Sequence, residues 1–214
     1  MTSEERFFHQ LMGKTRALFL KSKTFEKHQD KNWNSAICET PIQISKGLFF
    51  GLNWGGNNIG QQTTYPEKHR KRDWQFISHS RKYFREYLNS EIEDLNYSNF
   101  CFFRTPKAHQ LENTDWELAY PLFKEYVDFI NPPWTLMLGK SNYALSQHIS
   151  SKQEFSVWDD VNKKTVYGYT GILFSKYPLG AVPHPQARIS SDARNEIWKT
   201  ITDRIKEKAF NENN

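Results

Sequence analysis

Two apolar segments, far apart in the chain, each run straight into a tight polar turn, and this constrains the fold more than any other feature. Gly47-Leu48-Phe49-Phe50 leads into Gly51-Leu52-Asn53-Trp54-Gly55-Gly56-Asn57-Asn58, and Val182-Pro183-His184-Pro185-Gln186-Ala187-Arg188 precedes the last helical pattern. Each places one polar group, Asn53 or His184, beyond the carboxyl end of a short strand, where α/β sheets build their ligand sites. Asn and Gly are also what an ordinary turn requires, so the motif at 51–58 has a purely local explanation as well.

Between these turns, strand-like and helix-like patterns alternate. Phe7, Phe8, Leu11, Met12, Ala17 and Leu18 recur at helical spacing and predict an opening helix over 3–22, followed by a polar stretch to Asn34; residues 1–34 read as a helical extension. Ile42 to Leu52 predicts a strand stopped at Asn53, with a loop to about Pro66. A basic helix is expected from His69 to Leu88, an aromatic strand from Asn99 to Arg104, and a helix capped at Asn113 or Thr114 and running to Ile130. Trp134–Leu138 predicts another strand, with a helix opening after Gly139-Lys140-Ser141-Asn142. Residues 153–170 read as a hairpin insertion, Leu173–Val182 as the last strand, and Ser190 or Ser191 as the cap of a closing helix. Strands alternating with helices imply a mostly parallel sheet covered on both faces, within a single domain of 214 residues.

Sixteen Phe, ten Tyr and seven Trp predict a core built from large rings. A net charge of +5 leans toward polyanionic partners, although its distribution matters more than its sum. Two cysteines, Cys38 and Cys101, are too few for a disulfide framework, a cysteine-bound zinc or an iron–sulfur cluster. The other histidines lack ligand spacing, so no metal or cofactor is expected. The N-terminus lacks the order of a signal peptide and no apolar run approaches the ~20 residues that span a bilayer, so a cytoplasmic monomer without membrane contact is expected.

The two turns, in this order, resemble the signature loops of the uracil-DNA glycosylase superfamily. Asn99-Phe100-Cys101-Phe102-Phe103-Arg104-Thr105-Pro106 and Pro133-Trp134-Thr135-Leu136-Met137-Leu138-Gly139-Lys140 resemble its intermediate segments. Asn53 stands where the mismatch-specific thymine/uracil branch also has Asn. Trp54, Gln186 and Arg188 depart from the usual residues. The resemblance implies a three-layer α/β sandwich with a central, mostly parallel four-stranded sheet flanked by helices. It also implies a DNA-binding protein that hydrolyses the N-glycosidic bond of a deaminated or damaged base.

In that reading Asn53 orients the attacking water and His184 stabilises the departing base. Asn99, Tyr65, Gly51 and Trp54 bind the base, with Tyr65 stacking on it. Arg188, Lys68, Arg70, Lys71, Arg72 and Gln186 contact the DNA. An alternative of another class is a catalytically silent module that binds a nucleobase or nucleic acid on the same fold. A nucleotide enzyme or hydrolase without DNA is weaker, because no G-x-S-x-G elbow, G-x-x-x-x-G-K-[ST] loop or G-x-G-x-x-G fingerprint occurs.

Overall fold

In the computed structural model, residues 1–31, 33–55, 62–67 and 75–211 are described, the side chains of 75–77 and 209–211 excepted. Helix α1 (Ser3–Phe19) starts at a Thr2–Glu5 capping box and is followed by a short α2 (Lys23–Lys27). Strands β1 (Asn34–Ser35) and β2 (Leu48–Trp54) precede α3 (Gln75–Leu88). Then come β3 (Asn96–Arg104), α4 (Asn113–Ile130), β4 (Thr135–Leu138) and a one-turn α5 (Tyr143–Ser146). The chain ends with β5 (Ile149–Asp159), β6 (Lys164–Leu173), β7 (Tyr177–Val182) and α6 (Ser191–Asn211).

The strands form one sheet in the order β1-β3-β2-β4-β7-β6-β5. β3, β2, β4 and β7 run parallel to one another, β1 pairs antiparallel with β3 on one edge, and on the other β6 pairs antiparallel with both β7 and β5. The fold is therefore α/β with helices flanking the sheet, but the sheet is mixed and seven-stranded where a mostly parallel four-stranded one was expected. The difference has a local cause. The strand expected over 173–182 begins only at Tyr177; Leu173 ends β6, and a reversal at Phe174 and Ser175, whose φ angles are 53° and 58°, joins the two. That left-handed pair is the twist-matched connection of a tight hairpin, and it carries no glycine or asparagine to advertise it. The reversal pairs β6 with β7 and makes the β5–β6 hairpin a continuation of the sheet.

Side-chain alternation explains why both faces need cover. Leu48 and Phe50 of β2 enter a core shared with α1 and α4, whereas Phe49 enters a second core shared with α3 and α6. Met137 and its neighbours Leu136 and Leu138 divide in the same way on β4. Phe123 of α4 sits against Phe50 and Phe100 with ring centroids 5.0 and 5.5 Å away. Truncating such a ring costs about 3–5 kcal/mol. The opening helix is part of this core: Phe8 and Leu11 are fully buried, and Phe7 stacks on Phe129 at 3.8 Å.

Two buried carboxylates tie segments together. Asp115, in the first turn of α4, accepts the backbone N–H groups of Lys23 and Thr24 at 2.9 and 3.0 Å and the Thr24 hydroxyl. Asp159, at the end of β5, accepts N–H groups of Val161 and Asn162 from its own turn and that of Ser190, 2.9 Å away, before α6. No described helix is long and apolar enough to cross a membrane.

Candidate functional site

Each of the four parallel strands delivers a polar side chain at or just past its carboxyl end: Asn53 from β2, Arg104 from β3, Lys140 beyond β4 and His184 beyond β7. All four, with Asn99 and Gly51, line one cleft of about 680 Å³. This is a size typical of small-ligand sites. The two turns singled out in the sequence therefore meet across a common opening.

Asn53 is held by its neighbour strand. Its Nδ2 donates to the Thr105 carbonyl at 3.2 Å and to the Thr105 hydroxyl at 3.0 Å. With both donors spent, its Oδ1 is the acceptor that can hold a water. The register shifts between Asn53 and Trp54, whose partners on β3 are Cys101 and Arg104. This irregularity turns Trp54 into the core, where it is 4% exposed and its indole N–H donates to the Ala36 carbonyl at 2.6 Å. Trp54 thus serves as a wall of the cleft, anchored by that bond.

Asn99 is 3% exposed and lines the cleft, and its Oδ1 lies over Gly51, where a Cβ would stand only 2.5 Å away. Among the described residues no side chain or backbone group hydrogen-bonds its amide. A buried amide at a cleft wall is satisfied by what enters the cleft, since leaving it bare costs about 1–3 kcal/mol.

His184 sits exposed at the rim between Pro183 and Pro185, which fix the backbone on either side. Its Nδ1 accepts the Gln186 N–H at 3.2 Å, so the neutral ring carries its proton on Nε2. Surrounding protein, and then the Arg194 guanidinium, hold the imidazole below its ordinary range. Arg194 also clamps the turn, donating to the carbonyls of His184 at 3.2 Å and Ala187 at 2.6 Å. Gly139 backs the histidine from β4. Its φ of 119° excludes a side chain, and its N–H donates to Val182 at 2.8 Å.

Other expected residues lie elsewhere. Tyr65 does not line the cleft: its hydroxyl accepts the Ile42 N–H at 2.8 Å and its ring packs edge-on against Phe8 at 5.4 Å. Burial pushes its phenol up to about 12. The stacking role is corrected to a packing one, because the hydroxyl is engaged in holding the 42 region to α1. Arg188 is exposed and outside the cleft, and its carbonyl accepts the Lys164 ammonium. Gln186 does line the cleft. Lys68, Arg70, Lys71 and Arg72 lie outside the described residues. Cys38 and Cys101 are buried, and burial drives the Cys101 thiol well above its usual range.

Arg104, Lys140, Lys107 and Glu39 line the cleft without having been picked out as site residues. Reading the charged residue at every parallel strand's carboxyl end would have found Arg104 and Lys140. Three of these four are cations, so the charged part of the lining is net positive. No family model matches the chain, and a search of curated proteins gives no match either.

Proposed function

We propose that the cleft binds an extruded nucleobase and that the chain is a uracil-DNA glycosylase-like protein, cleaving the bond between a base and its sugar in DNA. The observation that carries the reading is the convergence on one cleft of Asn53 and His184, from the carboxyl ends of β2 and β7, with Asn99 from the middle of β3. The parallel strands run β3-β2-β4-β7, with the first of them in sequence second in the row, so the cleft opens where the strand order reverses.

The chemistry follows from the groups that line the cleft. The neutral His184 donates from Nε2 to the base oxygen on which negative charge grows as the bond breaks. A preorganised donor of this kind is worth about 3–4 kcal/mol in a dry site. Asn99 offers a donor and an acceptor to the edge of the base. Asn53 holds water through Oδ1 but takes no proton, so about 10²- to 10⁴-fold of general-base assistance is missing. The enzyme is therefore slow, or acts on bases that leave easily. Turning the base out of the helix costs roughly a few kcal/mol, repaid by contacts in the cleft and to phosphates.

The amide at position 53 also favours a second reading, a module that binds the base without releasing it. Incubation with duplexes containing uracil, hypoxanthine or a thymine mismatch, followed by alkaline cleavage, separates the two. Base release that disappears in His184→Ala supports the enzyme. Salt-sensitive binding without release supports the module, and neither binding nor release removes both.

A further inference from the structure

The hairpin that extends the sheet is covered on one face only. Phe155, Val157 and Val166 pack toward α6 in the second core. On the opposite face Trp158 and Tyr167 are 56% and 63% exposed. Trp158 pairs with Thr165 and Tyr167 with Ser156, so the two rings point to the same side as diagonal cross-strand neighbours. At the root of the hairpin Tyr169 is buried, with its hydroxyl on the Met137 sulfur at 3.5 Å.

A second groove, of about 610 Å³, runs from this face to the cleft. Lys140, Lys152, Lys164 and Tyr167 line it, and Gly139, Lys140 and His184 line both the groove and the cleft. Lys152 pairs with Glu154 at 2.7 Å and lies over the Tyr169 ring. The Lys164 ammonium instead meets only the neutral Arg188 carbonyl among the described groups, and Lys140 makes no ion pair among the described residues. The groove therefore keeps an excess of positive charge beside Tyr167, while Trp158 lies outside it with its indole N–H on the Asp160 carboxylate at 2.9 Å.

We propose that this open face of β5 and β6 is a platform for a single-stranded nucleic-acid segment leading into the cleft. Unpaired bases stack on Tyr167 and Trp158, while Lys140 and Lys164 neutralise phosphates. The inference rests on reading the cleft as a base site and adds the strand that delivers the base. Every base offers a ring face, so such a platform accepts many sequences. A protein partner fits this face less well: its rings are interleaved with Ser156 and Thr165, the Lys152–Glu154 pair lies beside them, and interface cores are depleted of charged residues.

The test is fluorescence anisotropy with a labelled oligothymidylate and a matched duplex, together with tryptophan emission. The 214-residue chain should bind the single strand more tightly than the duplex. Tyr167→Ala should weaken the strand about tenfold, and Lys140→Ala with Lys164→Ala should flatten the salt dependence. Binding should quench emission, and the quench should be lost in Trp158→Phe. All four side chains are at the surface, and unchanged thermal midpoints confirm intact folds. Equal strand affinity in Tyr167→Ala and Trp158→Ala, or concentration-dependent dimerisation that buries Trp158 in the free protein, would overturn the proposal. Failure of base release with Tyr167-dependent strand binding intact would remove the glycosylase reading and leave the platform standing.

Discussion

The amide oxygen of Asn99 lies directly over Gly51, its register partner between β3 and β2. A methyl group at position 51 would come within 2.5 Å of that oxygen, closer than any real contact, so the amide must move. Glycine at 51 thus leaves the Asn99 amide its place, while its own backbone angles do not call for glycine.

Gly51→Ala should accordingly weaken base binding by about 10- to 100-fold through displacement of Asn99, the range expected for losing a buried, paired amide. Asn99→Ala should lose a similar amount, and the double variant little more than either one. Equilibrium binding of an oligonucleotide bearing an abasic-site analogue with and without free base measures the cycle. Additive losses would show that Gly51 acts independently of Asn99.

Asn53 should be the residue that limits the rate. Asn53→Asp supplies a proton acceptor next to the bound water and should raise single-turnover base release by about 10- to 100-fold, part of the full general-base contribution. The gain is less than complete because one carboxylate oxygen then faces the Thr105 carbonyl, where the amide now donates at 3.2 Å. The same clash should destabilise the fold by about 1–3 kcal/mol, readable as a lowered thermal midpoint. A slower Asn53→Asp enzyme would sink the water-holding role.

His184 should titrate below the 6.5 of an ordinary imidazole, because surrounding protein and Arg194 both penalise its charged form. The neutral donor then persists as pH falls through 6.5, and base release stays flat there before it changes. In stability the sign is the same: the unfolded chain binds the proton more readily, so stability is lost as pH drops below 6.5. His184→Gln should flatten that part of the curve. Proton NMR of the ring gives the midpoint directly, and Arg194→Gln should raise it.

Much of the site was legible because α/β sheets place polar groups at the carboxyl ends of parallel strands. Asn53 and His184 reach the cleft by that rule, whereas Asn99, in the middle of β3, was found only through the resemblance. What hid from the sequence was governed by distant packing. Tyr65 is drawn away by Phe8 and the Ile42 amide, neither of which is near it in the chain. The extent of the sheet was concealed at Phe174 and Ser175, where left-handed backbone is adopted by residues that give no turn signal. Helix α2 was missed within a polar stretch because its start depends on the Ser22 hydroxyl accepting the Phe25 N–H and on the buried Asp115 from α4.

Asp159 links the hairpin to the segment that carries His184, and its removal should be felt in both. Burial raises its carboxyl pKa, but this is outweighed by hydrogen bonds from Ser190 and Asn162, which hold it below the usual value of 3.8. The stability it contributes is present above 3.8 and is lost as pH falls through the folded value. Asp159→Asn brings an N–H donor into a ring of N–H donors, so it should lower the thermal midpoint at neutral pH and make the remaining stability less sensitive to acid. It should also release the Ser190 amide, which now donates to Asp159 at 2.9 Å. Since the Ser190 hydroxyl caps α6 by accepting the Ala193 N–H at 3.2 Å, hydrogen exchange should quicken at residues 190 and 193 ahead of the core strands. Unchanged exchange at those amides, with the midpoint lowered, would mean that Asp159 steadies only its own turn and leaves the His184 loop to Arg194.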